Sequence, residues 1–170
     1  YNIIQGCTNL TEIYLPDGDT PVEVASGAFY RDNAITKVHV KNTVTSIHEA
    51  FLHLNALQEF EVDTDSTYYY EDSGVLYYRN SATNDLHLIR MPKSSTIENY
   101  SIPNDRYVTA IGEEAFSYCT NLKEITVPAG VITIGDSAFE YCSSLTKADM
   151  GIDVVNVGAY AFYHCEALES

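Results

Sequence analysis

The chain has 170 residues and is 45% hydrophobic, enough for one domain with a real core. Twenty-four acidic residues against nine basic ones give a net charge of −15, which argues against nucleic-acid binding and against docking on an anionic membrane. No apolar run of about 18 residues exists to span a membrane, and no charged segment followed by an apolar one reads as a signal peptide.

In chain order, one pattern keeps returning. Ile4 is followed by Leu10, Ile13 and Leu15. Val24 and Phe29 are followed by Ile35, Val38 and Val40, and Ile47 and Phe51 by Leu57, Phe60 and Val62. After a longer interval come Ile111, Phe116, Leu122, Ile125 and Val127, then Ile134, Phe139, Leu145, Ala148 and Met150, then Val157, Phe162 and Leu168. Successive anchors, Ile4 and the five Phe, are 25, 22, 65, 23 and 23 residues apart. Self-similarity at that period marks a solenoid. The chain begins and ends inside repeat units, so it is expected to be a piece of a longer array.

Within one unit, "LKEITVP" alternates apolar and polar and predicts a strand with Ile125 and Val127 inward. Pro128 lacks an N–H and ends it. "VITIG" predicts a second short strand, ended by Gly135. "DSAFEYC" opens on Asp136 as an N-cap and predicts one or two helical turns. Stacking such units buries roughly five or six large apolar side chains per rung, each contributing about 1.5–3 kcal/mol.

The 65-residue interval contains "GVLYYRNSATNDLHLIRMP". Val75–Arg79 and Leu86–Met91 alternate about a polar "NSATND" turn and predict a β-hairpin within an insertion over 63–93. Ile97, Tyr100 and Ile102–Pro103 then restore the repeat. The insertion reads either as a local brace or, through Tyr68, Tyr69, Tyr70, Tyr77 and Tyr78, as a binding surface. Fourteen tyrosines without a tryptophan keep the second reading open, because tyrosine is enriched at interfaces.

Ala115–Phe116, Cys119, Leu122, Ile125, Val127–Pro128 and Ile134–Gly135 spell a unit that resembles the BspA-like, or Treponema pallidum-type, leucine-rich repeat of bacterial surface proteins. The likeness covers nearly all of the chain. It departs at Asp32 and Leu54 in the cysteine position, at Ala148 and Asp149–Met150 in the strand, and in the long interval. It implies a β-rich (α/β) solenoid: a single right-handed leucine-rich-repeat domain over 1–170, about five to seven rungs and roughly 25–35 Å long. It also implies a non-catalytic, extracellular or cell-surface protein that adheres to host or matrix proteins. A structural spacer or a carbohydrate-binding module is the alternative.

Cys7, Cys119, Cys142 and Cys165 share one position of the repeat. A disulfide framework would not tolerate Asp and Leu there, and no C-x-x-C pair suggests zinc. Buried, unpaired thiols stacked in a column are expected. His39, His48, His53, His87 and His164 form no ligand motif and are expected to be solvated or hydrogen-bonded. "EVDTDS" begins loosely like a calcium loop but lacks its glycine and closing glutamate. No nucleophile, P-loop or dinucleotide motif is present, and no cofactor is expected. Strand alternation places Glu12, Tyr14, Lys37, His39, Glu59, Glu61, Asn99, Ser101, Glu124, Thr126, Lys147 and Asp149 on the outside of the first sheet. That polar, largely acidic face is the candidate surface for a protein ligand.

Overall fold

The computed structural model describes residues 6–47 and 49–170; the Ile4 anchor and His48 lie outside them. The strands are β1 (Glu12–Tyr14), β2 (Val22–Val24), β3 (Lys37–Val40), β4 (Val44–Ile47), β5 (Glu59–Val62), β6 (Tyr69–Asp72) and β7 (Val75–Arg79). They continue as β8 (Leu86–Arg90), β9 (Asn99–Ser101), β10 (Val108–Ile111), β11 (Glu124–Thr126), β12 (Thr133–Ile134), β13 (Lys147–Asp149) and β14 (Asn156–Val157). Taken as first and second strands they make six rungs: β1/β2, β3/β4, β5/β8, β9/β10, β11/β12 and β13/β14. Like strands of neighbouring rungs pair in parallel, for example Ile125 between Tyr100 and Ala148, except at the third rung, where β5 does not pair with β9 nor β4 with β8. This is the solenoid that the repeat implies.

The expected helical turns do not form: among the described residues there is no helix. The reason lies in where the N–H groups go. Glu114, Phe116 and Tyr118 donate to Asp136, Ala138 and Glu140 of the next rung at 3.0, 2.7 and 2.8 Å. The alternate amides of Ala115, Ser117 and Cys119 close tight turns within their own rung. Left-handed backbone at Glu114 (φ 52°) and Tyr118 (φ 61°) makes this alternation possible and forbids an α-helix. Asp136 caps nothing; its carboxylate accepts the Ala159 N–H across the rung gap at 2.8 Å. At Gly135 a Cβ would lie 2.6 Å from Glu113 N, so the tight spacing of the rungs requires glycine there.

Of the insertion expected over 63–93, β6 and β7 sit between the two strands of the third rung, and β8 is the rung's own second strand. β6 and β7 form an antiparallel pair closed by Ser73 and Gly74, both at positive φ (53° and 78°), a two-residue hairpin turn of type I′ form. β7 also runs antiparallel to β8, and β8 rejoins the second sheet beside β10. β7 is thus buried on both faces. Val75 and Tyr77 enter the core of the later rungs, while Leu76 enters that of the earlier ones. The Tyr77 hydroxyl meets the Tyr100 hydroxyl at 2.6 Å, and Tyr100 donates to Asp72 at 3.0 Å, tying the hairpin to the fourth rung. Burial pushes the Tyr77 phenol well above its ordinary range.

The cysteines need one correction. All four are free; Cys119 and Cys142 are buried and Cys165 is partly covered, but Cys7 is exposed. The Cys142 thiol donates to Phe116 O at 3.1 Å and Cys165 to Phe139 O at 3.0 Å, so each satisfies the rung before it. Burial pushes the Cys119 thiol up to about 12, so it stays protonated and inert.

Candidate functional site

Parallel register sets the outward residues of the first sheet in two columns. Glu12, Lys37 and Glu59 stand in line, as do Tyr14, His39 and Glu61. Beyond the hairpin the columns resume as Asn99, Glu124, Lys147 and Ser101, Thr126, Asp149. The hairpin breaks the sheet between β5 and β9, so the twelve residues form two blocks.

The first block is a fixed charge network. Lys37 Nζ lies 3.0 Å from Glu59 and 2.6 Å from Glu61. Those carboxylates hold the Lys37 ammonium well above its ordinary range, and Lys37 in turn lowers the Glu61 carboxyl. His39 sits 3.4 Å from Glu61 and 3.5 Å from Glu12. Its ring stacks on Tyr14 with centroids 3.9 Å apart and 5° between planes, and Tyr14 remains 63% exposed. In the second block Glu124, Thr126, Lys147 and Asp149 are exposed, and the nearest ion pair, Lys123–Glu98 at 2.8 Å, lies at the strand edge. Five carboxylates against two ammonium groups leave the whole face net acidic, suited to a basic partner.

The tyrosines of the insertion are placed differently from a free surface. Tyr69 and Tyr77 are buried and belong to the cores, which corrects their reading as contact residues. Tyr70 is half-covered, with the Arg106 guanidinium 4.2 Å over its ring. Tyr68 and Tyr78 are also partly covered and pack on the earlier core. Asp63 of "EVDTDS" accepts from the Lys41 ammonium and the Asn42 N–H, and Asp65 from the Asn42 side chain. Among the described residues no group of His, Cys, Asp or Glu is arranged to hold a metal.

A second column escaped the sequence reading. Two residues after four of the anchors, His53, Tyr118, Tyr141 and His164 lie at the corner, whereas Arg31 follows Phe29. Tyr118 and Tyr141 stack at 4.7 Å, as do Tyr141 and His164. The third rung has no Phe at its corner, yet Met91 N donates to Ala115 O, the bond that Phe116 N makes to Ala138 O one rung later. The Cys119 thiol likewise donates to Met91 O at 3.6 Å. Met91 therefore stands in the anchor position, and Lys93, two residues on, stands in the outward column. Its ammonium lies 5.1 Å over the Tyr118 ring, where a stacked ring would otherwise be.

Parallel ladders of short strands, repeated rung after rung and joined by tight corners, define a leucine-rich-repeat solenoid. The chain belongs to the BspA type leucine rich repeat family, whose profile matches residues 2–86 and 90–170 in six copies. No curated protein matches it. It is similar to a leucine rich cell surface protein from Faecalibacterium prausnitzii, with 27% identity, a TM-score of 0.76 and 96% of this chain covered. The chain spans about half of that structure, 47% of its length. The fold is shared with the pneumococcal vaccine antigen PcpA (TM-score 0.68, 16% identity, 88% of this chain and 47% of that one). It is also shared with a leucine rich repeat protein of Treponema pallidum (TM-score 0.57, 23% identity, 94% of this chain and 78% of that one). Among the described residues no helix is long and apolar enough to cross a membrane.

Proposed function

We propose that residues 1–170 are one non-catalytic repeat domain of a bacterial cell-surface or secreted protein that adheres to host or matrix proteins. The insertion over 63–93 acts as its brace. The observation that carries this reading is the acidic first-sheet face, whose Lys37–Glu59–Glu61 cluster is held in one geometry before any partner arrives. Likeness to a cell surface protein supports the location. The partner carries a basic, hydrogen-bonding patch, and Tyr14 is the exposed aromatic anchor.

Binding of the chain to immobilised, deglycosylated matrix and host surface proteins tests this. A double Glu59→Lys, Glu61→Lys variant is expected to lose binding with its melting curve intact. Equal binding by variant and parent would overturn the face assignment. A second reading, a stiff spacer displaying another domain, is favoured by the stacked Phe116, Phe139 and Phe162 rings at 4.8 and 5.0 Å. It predicts no binding by either protein.

A further inference from the structure

The third rung is recessed at its corner. From Leu88, paired with Ile111, to the anchor Met91 is three residues, whereas from Ile111 to Phe116 is five. Pro92 and Lys93 also take the places of Ser117 and Tyr118. The shortened corner leaves a cleft of about 550 Å³ between the second and fourth rungs. A cleft of this size holds a small ligand. Leu52, His53 and Asn55 form one wall, Glu114, Tyr118 and Thr120 the other, and Lys93 and Ser94 lie between them.

The cleft is polar and carries two charged side chains, Lys93 and Glu114, neither in an ion pair among the described residues. Lys93 Nζ makes a long contact of 3.4 Å to the Asn55 side-chain oxygen. Among the described residues no carboxylate lies within ion-pair distance of it, in a chain with twenty-four of them. Burial, and then the nearby Arg90 guanidinium, hold its affinity for a proton below the ordinary lysine range, against the Glu114 carboxylate, which raises it. The Arg90 guanidinium donates to Glu114 O in the wall of the cleft. A half-buried ammonium backed by a second cation is stabilised by an incoming anion. Ser94 Oγ donates to Asn55 O at 2.8 Å and keeps its lone pairs for a ligand. Thr120 and His53 are exposed beside it. The cleft itself is lined mainly by polar side chains, Leu52 being the apolar one, which suits a hydroxyl-rich molecule.

We propose that this cleft binds an acidic saccharide, with Lys93 receiving its carboxylate and Asn55, Ser94 and Thr120 its hydroxyls. The long-range field of a −15 chain repels polyanions, so a sugar with one acidic group is favoured over a highly sulfated chain. The site lies at the corner and is independent of the first-sheet face.

The full chain is titrated calorimetrically with 3′-sialyllactose, lactose, heparin oligosaccharide and an acidic hexapeptide. Sialyllactose is expected to bind, with lactose at least about tenfold weaker, the effect of one charge-assisted hydrogen bond, and heparin weaker through the repulsion of a polyanion by the acidic chain. Lys93→Ala and Lys93→Gln should each lose at least about tenfold, on the same scale. Lys123→Ala, which removes a distant ion pair, should bind as the parent does. Thr120→Ala, at an exposed position, gives a second reading if the Lys93 variants misfold. The proposal is overturned if nothing binds, if lactose equals sialyllactose, if only the peptide binds, or if none of the cleft variants weakens binding. Because the protein-adhesion test uses deglycosylated partners and the Glu59/Glu61 variant, either result stands without the other.

Discussion

Residues 27–32 and 114–119 are the same piece of the repeat, yet they are held differently. In the later piece every second amide crosses to the next rung, at Glu114, Phe116 and Tyr118. In the earlier piece Ala28, Tyr30 and Asp32 donate only within their own turn, and among the described residues none of 27–32 donates to the rung of Phe51. The rings follow suit: Phe29 and Phe51 stack at 5.6 Å, whereas Phe116 and Phe139 stack at 4.8 Å. Interval length alone does not account for the contrast, since Met91 N crosses to Ala115 O at 2.7 Å although Met91 and Phe116 are 25 residues apart. The cysteine column shows the same contrast. Cys142 is buried and satisfied, but Asp32, equally buried, uses one carboxylate oxygen on Cys7 N and leaves the other without a partner.

The largest expected effect comes from deleting a stacked ring. Phe139→Ala removes a ring sandwiched between Phe116 and Phe162 and should cost about 3–5 kcal/mol in urea unfolding. Phe29→Ala, with one stacked neighbour, should cost measurably less; equal losses would break the contrast. Next in size, Asp32→Cys gives the early rung the residue of the later ones. It removes an unpaired buried oxygen and should raise the melting temperature, by an amount equivalent to about 1 kcal/mol. A fall would show that the bond to Cys7 N outweighs that cost.

The smallest effect tests the seam between the two blocks. Asp85, at the mouth of β8, accepts from Thr109 of β10, then from Thr83, and lies 3.0 Å from His87. The Thr109 and Thr83 hydrogen bonds, the largest influences, lower its carboxyl to about 2 from an ordinary 3.8. A depressed folded value means stability that is present above the ordinary value and lost as pH falls through the folded one. The parent should lose stability between about pH 4 and pH 2, and Asp85→Asn should be less stable at neutral pH and flatter across that window. Identical pH profiles for parent and variant would remove Asp85 from the seam.

Much of the fold was legible because each rung repeats the same inward positions: Leu122, Ile125, Val127 and Ile134 could be placed from spacing alone. The outward columns followed from alternation. The Tyr14–His39 stack and the double salt bridge of Lys37 did not, because a neighbour one rung away is 22 to 25 residues distant in the chain. The column of His53, Tyr118, Tyr141 and His164 was visible in the same alignment, as a ring two residues after Phe51, Phe116, Phe139 and Phe162. Lys93 was hidden because its anchor is Met91 rather than Phe.

The sequence by itself determined the period, the inward residues and the two strands of each rung, since burial selects side chains at fixed intervals. Tertiary structure decided the corners, the role of β7 and the cleft. "DSAFEYC" has the makings of a helix, but its amides find closer acceptors in the rung alongside, a choice local propensity does not contain. Leu76 and Tyr77 are adjacent apolar residues whose assignment to opposite cores exists only once the rungs are stacked. The recess beside Lys93 likewise appears only when a shortened corner lies between two full ones.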